Sequence, residues 1–298
     1  MNGDIKLATL SDTDDTDLVE ATPLEDDFST YADTAAMKAA GWSSAASIGT
    51  GDISLVSGAM QLDCDGTANR ARGSRPFTTV VGKAYTVEYS STSNHHFRVG
   101  TSENGEQNLS YLNQPTGSNT FAYTFVATAT TTYVTWEGFN TAGLEPQIDN
   151  ISVRLAEEDR SVNGNGLQVF GTITKTPVAT GADLVAYSGF SPSNYLEQPY
   201  NSDLDFGTGD FCVMGWVKFT GTPNMGFLHR ESVFNGGSGF GLYPTSGQIA
   251  AQMGGTATLT DGKRYDDGTW KHLVLLRRLG QAYLFVNGSQ VWAAARAG

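Results

Sequence analysis

The chain has little charge, few cysteines and no long apolar run. Charged residues make up 16% of its 298 residues, and only 18 of them are Lys or Arg against 31 Asp and Glu. The formal net charge of −13 repels phosphate, so nucleic acid is excluded as a partner. The two cysteines, Cys64 and Cys212, lie far apart, which excludes a disulfide framework and predicts two buried thiols. No apolar stretch approaches the ~20 residues that a membrane helix needs, so no membrane insertion is expected. The first residues are polar and acidic, not a basic start followed by an apolar segment, so no secretion leader is expected. Long Leu/Glu/Lys/Ala helical patterns are nearly missing as well.

Familiar catalytic patterns are also missing. Paired carboxylates at Glu-x-Asp-x-x-Glu spacing would point an acid and a nucleophile into one cleft, and the chain has none. Nor does it contain a Gly-x-Ser-x-Gly elbow or a glycine-rich phosphate loop opening a helix. His95 and His96 are adjacent in an expected strand, where neighbouring side chains take opposite faces and cannot share a metal. His229 and His272 have no Cys or carboxylate at ligand spacing, which argues against zinc. No enzyme activity is expected.

What is present is glycine, serine, threonine and short alternating runs. With 35 Gly and strand-sized apolar segments, the composition reads as all-β. Residues 1–23 form an acidic lead-in. The first 27 residues carry nine carboxylates and one lysine. Asp12–Asp17 fails the EF-hand template, because Asp17 and Pro23 stand where glycine and the closing glutamate belong. The lead-in is therefore read as a solvated arm.

A first domain is expected over 24–155. Ala35–Ala40 suits one helical turn ended at Gly41. Tyr85, Val87 and Tyr89 alternate with polar residues, as do Phe121, Tyr123 and Phe125, so one face of each strand meets a core. Residues 156–166, AEEDRSVNGNG, have a linker composition. A second domain follows over 167–298. The expected fold is two tandem antiparallel β-sandwiches of jelly-roll type.

Several pieces carry a family resemblance. Asp27-Phe28 with Gly41-Trp42, then Gly82–Val87, then Gln147–Val153, resemble the opening, a central strand and the closing strand of jelly-roll carbohydrate-binding modules. In the second half, Tyr195-Leu196, Leu204–Phe206, Asp210-Phe211 and Trp216–Lys218 resemble the opening of a laminin-G-like, concanavalin A-like domain. Asp267–Leu273 resembles that family's entry to a central strand, and Gly280–Gly288 its following hairpin. In that family further strands follow this hairpin, so the second sandwich is expected to be incomplete at its C-terminus or completed by a neighbouring subunit.

The resemblance implies a structural calcium ion in the first domain, with Asp27 and Asp149 at the matching positions. It also implies sugar binding, which needs an exposed ring and nearby hydrogen-bonding side chains. Trp136, Tyr111 and Arg98 are the expected glycan-binding residues. Tyr195, Tyr200, Tyr243 and Trp292 are candidates in the second domain, and Trp42, Trp216 and Trp270 are assigned to the core. The tandem arrangement resembles a bacteriophage tail fibre or related virion appendage. That implies a non-enzymatic module binding host cell-surface glycan, as a homo-oligomer among other virion subunits, located on the virion or otherwise extracellular. Two alternatives stand beside it: a purely structural spacer of the particle, and an accessory region of a secreted polysaccharide-degrading enzyme. The acidity of the chain leads one to expect a preference for neutral or cationic sugars, or else a divalent ion to bridge anionic ones.

Overall fold

The computed structural model describes residues 14–64, 70–115, 117–139, 144–159, 161, 163–180, 184–221, 226–230, 239–253 and 261–295; the side chains of Ile48, Tyr111, Ala294 and Ala295 are not among those described. The expected all-β class holds: among the described residues the regular structure is nearly all β, with several antiparallel sheets and one α-helix. It divides into two compact units, residues 1–200 and 201–298.

In the first unit the strands are β1 (Leu18–Val19), β2 (Leu24–Asp26), β3 (Ser43–Ile48), β4 (Asp52–Val56), β5 (Ala59–Asp63), β6 (Arg70–Thr78), β7 (Ala84–Ser91) and β8 (His95–Gly100). They continue with β9 (Leu109–Asn113), β10 (Asn119–Val126), β11 (Thr131–Gly138), β12 (Gln147–Glu157), β13 (Leu167–Phe170), β14 (Thr172–Pro177), β15 (Val185–Ser188) and β16 (Tyr195–Glu197). Helix α1 (Thr34–Ala39) falls where one turn was expected. Asp33 caps it by accepting from the Ala36 N–H (2.8 Å), and Gly41 follows it at φ 107, a conformation that favours glycine.

Two sheets enclose the core of this unit. One is five-stranded, ordered β3-β6-β11-β8-β9. The other runs β10-β7-β12-β13-β16, with β2 and β5 also on β12 and β4 on β5. The alternation read from the sequence sets their registers: Phe121, Tyr123 and Phe125 face Tyr89, Val87 and Tyr85 across the β10–β7 ladder. Between the sheets lie Phe28, Trp42, Met60, Leu62, Tyr89, Phe97, Val134, Trp136 and Ile148, all buried. Cys64 is buried as expected, whereas Cys212 is exposed, and both are free thiols.

Two expected boundaries move. The lead-in is not a free arm where it is described: β1 pairs with β14, Asp17 accepts from the Lys175 N–H (3.0 Å), and Glu20 accepts from Gly171 N–H (2.9 Å) and Arg154 (2.6 Å). The 156–166 segment does not separate the units either. β12 runs on to Glu157 and β13 folds straight back on it, with Ala156 opposite Gln168 and Glu157 opposite Leu167. Polar, glycine-rich composition marks a hairpin loop as readily as a linker, and here the ladder continues on both sides. The units part instead between Tyr200 and Asn201.

The second unit holds β17 (Phe211–Val217), β18 (Leu228–Arg230), β19 (Phe240–Thr245), β20 (Gln248–Met253), β21 (Lys271–Arg278), β22 (Gln281–Val286) and β23 (Ser289–Ala295). Its sheets are ordered β17-β21-β22-β23 and β18-β19-β20. Phe211, Leu242, Ile249, Leu273, Leu275, Leu284 and Val286 form its core. The 204–210 turn is held by the buried Arg277, whose Nε donates to the Gly209 carbonyl (2.7 Å) and which also donates to the Gly207 carbonyl. Asn287 (φ 51) and Gly288 (φ 78) make the hairpin turn from β22 to β23, where two left-handed residues match strand twist.

Candidate polar site on the five-stranded sheet

Residues that pair across a sheet share a face, so the registers define what the outer side of the five-stranded sheet presents. One row crosses all five strands: Ala45, Arg72, Glu137, His96 and Asn113. The next outward row is Ser43, Ser74, Thr135 and Arg98. Between them lies the inward row of Ser44, Gly73, Trp136, Phe97 and Leu112.

Two of the three sequence-based glycan-binding residues fall on these rows. Trp136 faces the core, 0% exposed, with its ring 5.2 Å from those of Tyr89 and Phe97 and 6.0 Å from that of Trp42. It is not a stacking residue; the alternation at Thr135–Glu137 is real, but its polar side is the outer one. Arg98 does lie on the outer face, yet it is 6% exposed and committed to an ion pair with Glu137, so it does not reach solvent as a sugar partner. Tyr111 is in β9, and its side chain lies outside the described residues.

Glu137 is the centre of this face. Its carboxylate is buried and accepts from Arg72 Nε (2.8 Å), Arg70 Nη1 (3.1 Å), Ser47 Oγ (2.8 Å) and Arg98. Burial alone would raise its carboxyl. The Arg72 and Ser47 hydrogen bonds and the charges of Arg72 and Arg98 outweigh burial and hold it below the usual range. Arg98 also pairs with Glu106 (3.4 Å). Arg70 and Arg72 keep about a quarter of their side chains in solvent, at 23% each. They form the accessible part of the cluster.

The two neighbouring histidines take opposite faces, as their adjacency requires. His95 is buried in the core, bonded to the Tyr89 hydroxyl (2.8 Å) and the Ser93 carbonyl (2.9 Å), and burial lowers its pKa to about 4. His96 is on the outer face with its ring 3.9 Å from that of Phe139. Burial lowers its pKa, Glu137 opposes this, and Arg70 and Arg98 add to it.

One half of the face is covered. The turn after β8 folds back over it: Glu103 accepts from Ser43 Oγ (2.6 Å), and the Asn104 N–H donates to Thr135 Oγ1 (3.4 Å). A Cβ on Gly100 would sit 2.3 Å from the Gly105 carbonyl carbon, so this close approach needs glycine. The half with Ser47, Arg70, Arg72, Glu137, His96 and the exposed Asn113 lies beyond that turn.

The expected calcium pair lies where β2 meets β12. Asp27 is exposed and accepts from Ser29 N (3.1 Å) and Oγ (2.8 Å), which lower its pKa. The Asp149 carboxyl is pushed up by burial and by the nearby charges of Asp27 and Asp26. Those mutually repelling carboxylates suit a hard cation in charge. No group of three or more His, Cys, Asp or Glu at ligand spacing occurs among the described residues, so backbone and water oxygens must complete any shell. Asp26 is already engaged, accepting from Trp42 Nε1 (2.8 Å), Tyr31 Oη (2.6 Å) and Arg75 (2.5 Å).

The aromatic candidates of the second half fall in several settings. Tyr200 is exposed, and Tyr195, 38% exposed, stacks on Phe170 at 4.5 Å. Tyr243 is half-buried, and Trp292 packs on the second core. Trp42 is core as expected, and Trp270 is half-buried beneath Lys218 (5.2 Å). Trp216 is the correction: it is 62% exposed on the outer side of β17, beside His272 (5.0 Å) and the exposed Met214. β17 buries Phe211, one residue out of step with Cys212 and Trp216, which were expected inside, and a slip of one reverses every side chain.

Residues 190–298 match the family described as the concanavalin A-like lectin/glucanases superfamily, of laminin-G type. No curated protein matches the chain. Among solved structures, the chain is similar to the BiXyn10A CBM1 module, at 17% identity over 44% of this chain and 96% of that one, TM-score 0.34. It is also similar to the tandem CBM22-1–CBM22-2 domain of Xyn10C from Paenibacillus barcinonensis, at 12% identity over 87% and 85%, TM-score 0.33. Tailspike protein 4 of bacteriophage CBA120 is matched at 12% identity over 39% of this chain, which spans 19% of that protein, TM-score 0.32. Likenesses this distant carry no argument about ligand or role.

Proposed function

We propose that this chain is a non-enzymatic glycan-binding module of a virion appendage, and that it takes sugar on the half of the five-stranded sheet's outer face that carries Arg70, Arg72 and Asn113. One observation carries the reading: a cluster of polar side chains, fixed in place by Glu137, lines the outer side of a sandwich sheet. Rigid donors and acceptors beside a ring are what a sugar ring with its hydroxyls needs, because little ordering entropy is then lost on binding. Arg72, Arg70, Ser47 and Asn113 supply hydrogen bonds, and Phe139 beside His96 supplies the apolar surface. Glu137 is saturated by guanidinium groups, so it serves as a scaffold and not as an acid or base.

The lectin/glucanase-type match over 190–298 supports a carbohydrate setting for the second unit. The virion setting rests on the sequence resemblance to tail fibres, and with it the neighbouring virion subunits and a homo-oligomer. A shallow site of this kind gives millimolar to high-micromolar affinity, on the order of −4 to −6 kcal/mol. Many copies raise the avidity by ~10²–10⁴. A calcium ion on Asp27 and Asp149 would join β2 to β12 and act structurally.

A glycan array probed with the intact chain tests the reading. Binding should appear, and Asn113→Ala should weaken it several-fold at unchanged melting temperature, while Ser47→Ala should weaken it at some cost in stability because Ser47 also donates to Glu137. If no glycan and no cell surface is bound, the structural-spacer alternative replaces it.

A further inference from the structure

We infer that the glycan taken by this face is anionic, a sugar acid whose carboxylate is received by Arg70 and Arg72. The inference rests on the glycan-binding reading above and adds the ligand class. It runs against the expectation from net charge, because charge is local: at physiological salt fields from exposed groups fade over ~8 Å.

The ion-paired cluster itself is unbalanced: among the described residues Arg70, Arg72 and Arg98 pair with Glu137 and Glu106, three cations to two anions. Their placement sharpens the imbalance. Glu137 is 2% exposed, while Arg70 and Arg72 each keep 23% of the side chain in solvent, so the centre of the cluster shows guanidinium to an incoming ligand. Glu106 sits to the side, on Arg98, in the turn that covers the other half.

Arg70 commits its Nη1 and Arg72 its Nε to Glu137, and each keeps part of its side chain in solvent. Hydrogen bonds from a guanidinium to an anionic oxygen are stronger than those to a neutral hydroxyl. A guanidinium edge matches the planar, two-oxygen shape of a carboxylate. Ser47 lies beside the arginines on Glu137, and Asn113, three strands from Arg72 in the same row, suits the hydroxyls of a neighbouring sugar unit.

The test uses the intact chain and pairs of ligands that differ only in charge. Tetramers of galacturonate and of guluronate are titrated by calorimetry, together with the same tetramers after reduction of their carboxyl groups to alcohols, and with a sulfated galactan tetramer. At least one carboxylate form should bind tenfold or more tighter than its reduced partner. Added salt should weaken it. Arg70→Gln should remove that preference and Arg70→Lys retain part of it, while Arg278→Gln, on the second unit, should change nothing. Melting curves confirm that each variant folds. If sulfated and carboxylated tetramers bind equally, the anionic class stands and carboxylate selectivity does not. Equal binding of acid and reduced forms, or binding of neutral array glycans alone, overturns the anionic inference and leaves glycan binding standing. Failure of every sugar overturns both.

Discussion

Replacing Glu137 with glutamine should destabilise the first unit strongly, and the amount follows from who is left unpaired. The carboxylate is held by Arg70, Arg72 and Arg98. Removing one partner of a buried ion pair costs roughly 3–5 kcal/mol, mostly through the charge left behind. Here the cost is unequal among the arginines. Arg70 and Arg72 are 23% exposed and recover water, so their share is small. Arg98 is 7% exposed at the side chain, loses its closest carboxylate and keeps the longer contact to Glu106. Glutamine keeps the shape and one acceptor. The expected loss is therefore at the lower end, about 3 kcal/mol. For a unit of this size that corresponds to a melting temperature lower by ~6–12 °C. Urea unfolding followed by the emission of the buried Trp42 and Trp136 reads this unit, and the m-value should stay constant. A double-mutant cycle with Arg98→Met should return a coupling of at least ~1 kcal/mol. A loss under ~1 kcal/mol with no coupling would show that the cluster behaves as an exposed ion pair and is no rigid scaffold.

Other outcomes follow from the same packing. Trp136→Ala should cost ~3–5 kcal/mol, whereas Trp216→Ala should stay within ~0.5 kcal/mol, and equal losses in denaturant titrations would refute the assignment of faces. His95 is neutral and buried, with a folded pKa of about 4 against 6.5 unfolded, so its contribution is complete above pH 6.5 and is lost as pH falls toward 4. That loss is about 3 kcal/mol, and His95→Gln should flatten the stability–pH curve of the first unit there. Glu137, held below its usual range, acts in the same direction at still lower pH. Calcium should raise the melting temperature of the first unit by mass action, and Asp149→Ala should abolish the shift; a chelator without effect on the untreated protein refutes the Asp27–Asp149 site.

Much of the fold was legible in the sequence because alternation is a local property. Tyr85–Tyr89 and Phe121–Phe125 announced their strands and an inward face in each, and the family resemblance over Gly280–Gly288 announced a hairpin there. Which face of a strand meets the core is not local. Thr135-Trp136-Glu137 reads equally well either way up, and only the partners Phe97, Tyr89 and Trp42 make Trp136 the inner one. Cys212–Val217 failed for the same reason in reverse, with Trp216 outside. The site itself was half visible. Arg98 was singled out, but its partner Glu137 lies 39 positions away, and Arg70 and Arg72 are brought in from a third strand. The Arg-x-Arg spacing at 70–72, two cations on one strand face in a chain poor in cations, was the available signal. The 156–166 segment misled because loops and linkers draw on the same residues, and only the β12–β13 ladder tells them apart.

The most direct test of the central claim is to map where sugar touches the intact chain. Amide resonances of the 14–200 region are followed by NMR while the best ligand from the glycan array is added. The account predicts shifts confined to the outer face of the five-stranded sheet, at Ser47, Arg70, Arg72, His96, Asn113 and Glu137, and their loss in Asn113→Ala with Ser47→Ala. Shifts that leave this sheet untouched and gather elsewhere, such as around Tyr195 or Trp216, would contradict it.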